Sequence, residues 1–210
     1  MIRACALFTL HLFIPSVAAG ELEELSVIEA DGVYTLRIAT VFDAPEKYVH
    51  DIITDYQHAY RVSPAITELE LLPTGRKDAI RVRNHSKHCI GALCLKIDWA
   101  GDFTETRHGQ IEVRTIPHLS SFESGTARWE ISRAGERTRV FHESSLKPKF
   151  FIPPVIGENL LKEQIEADTL ATFDRIECYA KLMFKIDVES NPEVLKNLFS
   201  EGWDCLIPRS

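Results

Sequence analysis

Several signatures of catalysis are missing from this 210-residue chain. It has no G-x-S-x-G elbow, no H-E-x-x-H pair, no glycine-rich phosphate loop and no recognised Ser-His-Asp order. Those absences argue against a serine hydrolase of the elbow type, a zinc peptidase and a phosphate-cradling nucleotide binder. Positive charge is also in short supply. There are 24 basic residues against 31 acidic ones, a net charge of −7. A basic footprint for nucleic acid is therefore lacking, as is enough charge to dock on anionic lipid by electrostatics alone. No internal repeat, low-complexity segment or Pro/Gly/Ser-rich linker marks a domain boundary. No apolar run reaches the roughly 20 residues that a spanning helix needs.

What is present begins at residue 1. Arg3 supplies a positive start. Ala4 to Ile14 is apolar except for Thr9 and His11, Pro15 and Ser16 break it, and Val17-Ala18-Ala19 places small residues before Gly20. This is the grammar of a secretory signal peptide cleaved near Ala19. An uncleaved membrane anchor is the competing reading, and the short apolar run disfavours it. Residues 1–19 are thus expected to be removed, leaving an exported periplasmic or secreted protein. Only Arg3 leaves the charge count, so 23 basic and 31 acidic residues remain, a net charge of −8. About 190 residues suffice for one substantial core and are short for two.

Removing the leader also takes Cys5 and leaves four cysteines, Cys89, Cys94, Cys178 and Cys205. An even number in an exported chain reads as two bridges, with three connectivities open. Cys89–Cys94 is favoured because it flanks a turn-like Ile90-Gly91-Ala92-Leu93. Cys178–Cys205 would tie a C-terminal tail to a long helix. A metal site built on Cys89, Cys94, His85 and His88 is the alternative, but no second Cys/His cluster completes a tetrahedral set. No metal and no cofactor are expected.

Patterning predicts the elements. Leu25–Ala30 and Val33–Phe42 read as strands joined by an Asp31-Gly32 turn. Asp43 is a plausible helix cap, with Pro45 in the first turn of a helix carrying Tyr48, Val49, Ile52 and Ile53 on one face. A short helix over Tyr56–Val62 follows. Six strand-like runs come next: Ile66–Leu72, Ala79–His88, Cys94–Thr106, Gln110–Ile116, Ser121–Arg133 and Arg137–Leu146. The tight Gly- or Pro-containing breaks between them predict an antiparallel meander. Gly101 is read as a bulge. A proline-bracketed loop, Pro148–Pro154, leads into a helix reaching about Met183. Its stripe carries Leu161, Ile165, Thr172, Ile176, Tyr179 and Met183. The tail, 184–210, is expected to hold a short helix around Glu193–Phe199.

This element order, with two short helices after the first strand unit and one long helix closing the chain, resembles the START-like superfamily of lipid-transfer and polyketide cyclase/dehydrase (SRPBCC) proteins, coenzyme Q-binding-like members included. Phe42-Asp43-Ala44-Pro45, Ile52-Ile53-Thr54-Asp55-Tyr56, Pro64-Ala65-Ile66, Phe141-His142-Glu143 and Phe151-Ile152-Pro153-Pro154 carry the likeness, over roughly Val33 to Ala180. The resemblance implies an α+β helix-grip fold over 20–183. In it a curved antiparallel sheet would grip the long helix around a cavity for an apolar ligand. Trp99, Phe103, Trp129, His142, Phe151, Asn159, Gln164 and Asp168 are the candidates for its wall.

No catalytic residue is assigned. His142 with Glu143, Asp98 or Asp168 could act as an acid–base pair, but Glu143 adjoins His142 in a strand and points to the other face. His142 is therefore read as a hydrogen-bonded or surface histidine. Arg76, Lys77, Arg81 and Arg83 read as a solvated face or a docking patch, and Asn84-His85-Ser86 matches a glycosylation triplet of little weight. Phe150-Phe151-Ile152 is either packing at the helix start or an apolar gate. The expectation is a monomeric exported carrier of a hydrophobic small molecule, with transient membrane contact and no nucleic-acid partner. The alternatives are a cyclase/dehydratase acting on an apolar substrate, and a protein-interaction module. Export argues against a ribosomal partner for the latter.

Overall fold

The structure, a computed structural model, describes residues 20–90, 93–152 and 157–188. The expected leader, Cys205 and the tail helix around Glu193–Phe199 lie outside the described residues.

Strands β1 (Glu21–Ala30) and β2 (Val33–Phe42) form the expected hairpin. Asp31 and Gly32 both take positive φ, 53° and 77°, as a tight two-residue turn requires. The acidic run Glu21–Glu24 belongs to β1 rather than preceding it. Charge on this edge strand discourages pairing with other chains, and Glu23 is neutralised by Arg139 at 2.7 Å.

Helix α1 (Glu46–Thr54) is capped by Pro45, not by Asp43 as the sequence suggests. Asp43 stands too early, and its backbone N–H is taken by Glu177 at 2.8 Å. Val49 is fully buried, with Tyr48, Ile52 and Ile53 packed around the same core. The second short helix is 3-10, over Tyr56–Arg61.

Strands β3 (Ile66–Leu72), β4 (Ile80–Ile90), β5 (Leu93–Arg107), β6 (Gln110–Thr115), β7 (Phe122–Ala134) and β8 (Arg137–Pro148) follow as a meander. The result is one curved, eight-stranded antiparallel sheet in the order β1-β2-β8-β7-β6-β5-β4-β3. Among the described residues, only the β2–β8 pairing joins strands distant in sequence. Gly101 is not a bulge, since β5 keeps its register there with both neighbours. Its role is steric. A Cβ at Gly101 would lie 2.5 Å from the Trp99 ring, so glycine lets that indole fold flat over the strand. The register does shift elsewhere, at Leu22/Glu24, Ile66/Glu68 and Glu105/Arg107, and at the start of β7 between Phe122 and Ser124. This last shift turns Phe122 inward, on the face otherwise held by Gly125, Ala127, Trp129 and Ile131.

Helix α2 (Gly157–Val188) closes the fold. Its 32 residues span roughly 48 Å, and it runs past the predicted end at Met183. Phe173, Ile176 and Ala180, all in its second half, enter the main core with Ile38, Ile111 and Val140. The basic run is not a free patch: Arg76 pairs with Asp78, Arg81 with Asp102 and Arg83 with Glu70. No helix among the described residues is long and apolar enough to cross a membrane.

The Cys89–Cys94 bridge is present, joining a cross-strand pair of the β4–β5 hairpin. The zinc alternative fails because these sulfurs bond each other, while His85 and His88 turn to different carboxylates, Asp98 and Asp168. Cys178 is also disulfide-bonded, and its expected partner Cys205 lies outside the described residues. The first bridge closes so short a loop that it restricts the unfolded chain only modestly. The double variant Cys89→Ser/Cys94→Ser is expected to lose roughly 2 kcal/mol in urea denaturation. A loss near zero would show that hairpin pairing alone fixes this corner.

Candidate functional site

Between the sheet and the first half of α2 lies a cavity of about 480 Å³. It exists because α2 contacts the core only from Phe173 onward. At that point Trp129 of β7 stacks on Phe173 at 5.6 Å and on His142 of β8 at 4.0 Å. The three rings make a pillar that closes one end of the space. Beyond it the helix stands off the sheet, with Leu161, Ile165 and Thr172 turned toward the gap.

Five of the eight candidate wall residues line this cavity: Trp99, Trp129, His142, Gln164 and Asp168. Three do not. Phe103 continues the Trp99 face of β5, but its ring is engaged by Tyr56 at 4.5 Å. Phe151 is 76% exposed, because the loop alternates and its neighbours Phe150 and Ile152 take the inward positions. Asn159 lies on the exposed side of the first turn of α2. Phe150 packs edge-on against Phe122 at 6.0 Å, so two aromatic rings meet at this border of the cavity.

The wall is mainly aliphatic and aromatic, with hydroxyls of Tyr34, Ser63, Ser144, Thr169 and Thr172 scattered over it and two further polar features. The first is a chain from β4 to α2. The Asp168 carboxylate meets His88 Nδ1 at 2.9 Å, and His88 Nε2 meets Ser86 Oγ at 3.2 Å. Gln164 donates to the other Asp168 oxygen at 2.8 Å. Ser86, His88 and their neighbour Asn84 alternate along one face of β4, and all three line the cavity. Sequence reading missed Asn84 and Ser86, and took His88 only as a possible metal ligand. The alternation along β4 was the available signal, since Asn84, Ser86 and His88 are two residues apart. His88 and Asp168 are separated by 80 positions, so no sequence motif could join them.

The second polar feature is His142. Of the hydrogen-bonded or surface histidine expected, the structure shows a buried ring that is hydrogen-bonded to the Arg128 backbone while its Nδ1 has no hydrogen-bond partner. Burial pushes its pKa down to about 4, against the opposing pull of a hydrogen bond that the ring donates to the Arg128 backbone carbonyl. The imidazole is therefore neutral at physiological pH. Asp98, the other half of the acid–base pair considered above, faces outward and pairs with His85.

No family model matches the chain, and no curated protein matches it in sequence. Solved structures do match in fold. An aromatase/cyclase named Zhui from a Streptomyces species superposes with a TM-score of 0.58 at 14% identity, over 71% of this chain and 94% of the other. A STAR-related lipid transfer protein from Xanthomonas axonopodis gives 0.55 at 14%, over 72% and 98%. A START superfamily protein from Mycobacterium smegmatis gives 0.52 at 17%, over 68% and 97%. The fold is START-like. At these identities the likeness fixes the architecture and leaves the chemistry to the side chains of this START-like chain.

The buried His142 sets a pH dependence. Its folded pKa lies below the 6.5 of an ordinary histidine, so the unfolded chain takes up the proton first. Stability from this group is complete above about pH 6.5 and is lost as the pH falls toward 4. The full span corresponds to about 3 kcal/mol. Urea denaturation at pH 7 and pH 4.5 is expected to show a larger acid loss for the wild type than for His142→Phe. Equal losses would place the acid sensitivity in other groups.

Proposed function

We propose that this is an exported carrier or binding protein that holds one hydrophobic small molecule, of lipid, sterol, isoprenoid or polyketide-like chemistry, between the sheet and α2. One observation carries the reading: a largely apolar cavity of about 480 Å³, walled by two indoles and aliphatic side chains. That volume falls in the usual range for small-molecule sites, which are mostly apolar with a few placed polar groups. A lipid transfer protein and an aromatase/cyclase share the fold, which is consistent with an apolar occupant here. The exposed Phe151, next to two cavity-lining residues, suits brief contact with a membrane during loading. The net negative charge supports neither nucleic acid nor a purely electrostatic membrane anchor.

The enzyme reading is favoured by one feature, the Ser86–His88–Asp168 chain. Asp168 accepting from Nδ1–H would leave His88 Nε2 accepting from the Ser86 hydroxyl, so that a proton from a substrate held in the cavity would reach Nε2 through Ser86 or on displacing it. A cyclase/dehydratase-type reaction needs such a base beside an apolar substrate.

Trp99 and Trp129 both line the cavity, so an entering ligand should change tryptophan emission. Delipidated protein is expected to bind apolar probes with this change, and Leu36→Trp, which fills the space, should weaken binding at least tenfold. Native mass spectrometry of protein purified from its own host compartment should reveal a co-purifying apolar molecule. Absence of both signals would overturn the carrier reading. In deuterated water, the enzyme reading expects exchange of the acidic protons of an apolar β-diketone to be about 100-fold faster with wild type than with Asp168→Asn. The carrier reading expects no difference.

A further inference from the structure

Glu177 is a carboxylate in the buried part of α2, only 5% exposed and next to the core residue Ile176. Its two oxygens have different partners. Oε1 accepts the Asp43 backbone N–H at 2.8 Å and lies 2.8 Å from Lys181 Nζ. Oε2 accepts from the backbone nitrogen of Gly20 at 2.8 Å. The fit around Gly20 is close. A Cβ there would lie 2.9 Å from Glu177 Oε2 and 3.0 Å from the Val41 carbonyl oxygen, so a side chain at this position would be crowded. Asp43 also faces Lys181, at 3.7 Å, so two carboxylates share one lysine.

The sequence gives the same residue a second meaning. Gly20 is the first residue after Val17-Ala18-Ala19, where the leader grammar ends. We propose that removal of the leader creates an α-ammonium at Gly20 that forms an ion pair with the buried Glu177 and locks β1, the β2–α1 junction and α2 together. The inference rests on the export reading and not on the identity of the ligand. A leader-removing peptidase adds water across the Ala19–Gly20 peptide bond. Ala19 departs with the new carboxylate, and Gly20 keeps the amine, which takes up a proton.

The chemical change at Glu177 is specific. Before cleavage, Oε2 receives one dipolar N–H from a neutral peptide. Afterwards the same nitrogen carries a full charge and three donors, since an α-amino group of pKa about 7.7–8.0 is mostly protonated at neutral pH. The bond to the Glu177 carboxylate is charge-assisted in both forms, and cleavage adds to it the direct attraction between two full charges in a site only 5% exposed. The second cation also balances the Asp43 and Glu177 carboxylates against Lys181 and the terminus. The processed protein is therefore more stable than its precursor at the end of α2 that is gripped.

The test compares N-termini on otherwise identical chains. One form begins at Gly20, one carries a single extra Ala before it, and one begins at Gly20 with its amine acetylated. The Gly20 form is expected to melt at least about 5 °C above the other two. In a Glu177→Gln background that gap should close. Should Glu177→Gln fail to fold, the three-way comparison in the wild-type background decides alone. Full-length protein expressed with export should yield a secreted chain whose mass begins at Gly20. Equal melting temperatures for all three forms, or a mature chain beginning at another residue, would overturn the proposal. Neither result bears on ligand uptake, so failure here and failure of the carrier reading remain separable.

Discussion

A straight helix cannot follow a curved sheet along its whole length. Helix α2 meets the sheet core through Phe173, Ile176 and Ala180, and the curvature carries the sheet away from its first half. The cavity is the space left by that mismatch. The Trp129–His142–Phe173 pillar marks where contact ends and open volume begins. A ring lost from the pillar would shift that boundary as well as remove burial, because the same three side chains are both core and wall.

The polar groups follow from the same division. Near the pillar the surroundings are dry, and the imidazole of His142 is held neutral by burial. Farther along α2 the wall is partly open, and there His88 and Asp168 bridge strand and helix with side chains 29% and 41% exposed. The Cys89–Cys94 bridge stands immediately after His88 and fixes the end of the hairpin that carries it. A ligand lying along the cavity would meet aliphatic and aromatic surface over most of its length and hydrogen-bonding groups at the β4 side. Amphipathic molecules with one polar end suit that distribution.

The strands were legible because each alternates and is bounded by Gly or Pro. The bridge Cys89–Cys94 was legible because a turn-like tetrapeptide separates its cysteines. Faces were harder. Phe122 crosses to the inner face through a register shift that alternation alone cannot reveal. Phe151 was misplaced for a related reason: three consecutive apolar residues in a loop have no period, so the choice of which points inward depends on the path of the chain. Glu177 shows a different limit. A glutamate on a long, charged helix reads as solvated, and only the folded chain brings the nitrogens of Gly20 and Asp43 to its two oxygens. The Ser86–His88–Asp168 chain was invisible for the same reason, since its carboxylate comes from a distant helix.

The gripped end of α2 gathers an unusual share of the constraints. Gly20 and the β2–α1 junction meet the helix at Glu177, and the helix's own Lys181 and disulfide-bonded Cys178 lie within about one turn of it. The opposite half has the His88–Asp168 bridge and apolar contacts around the cavity. Local stability varies along an element with the number of such contacts, and opening starts where they are fewest. Among the described residues, the contacts of α2 with the core are thus concentrated in its C-terminal half, and the cavity lies along the other half. Core and cavity therefore depend on different halves of one helix, so a change in the residues facing the cavity leaves the Phe173, Ile176 and Ala180 contacts in place.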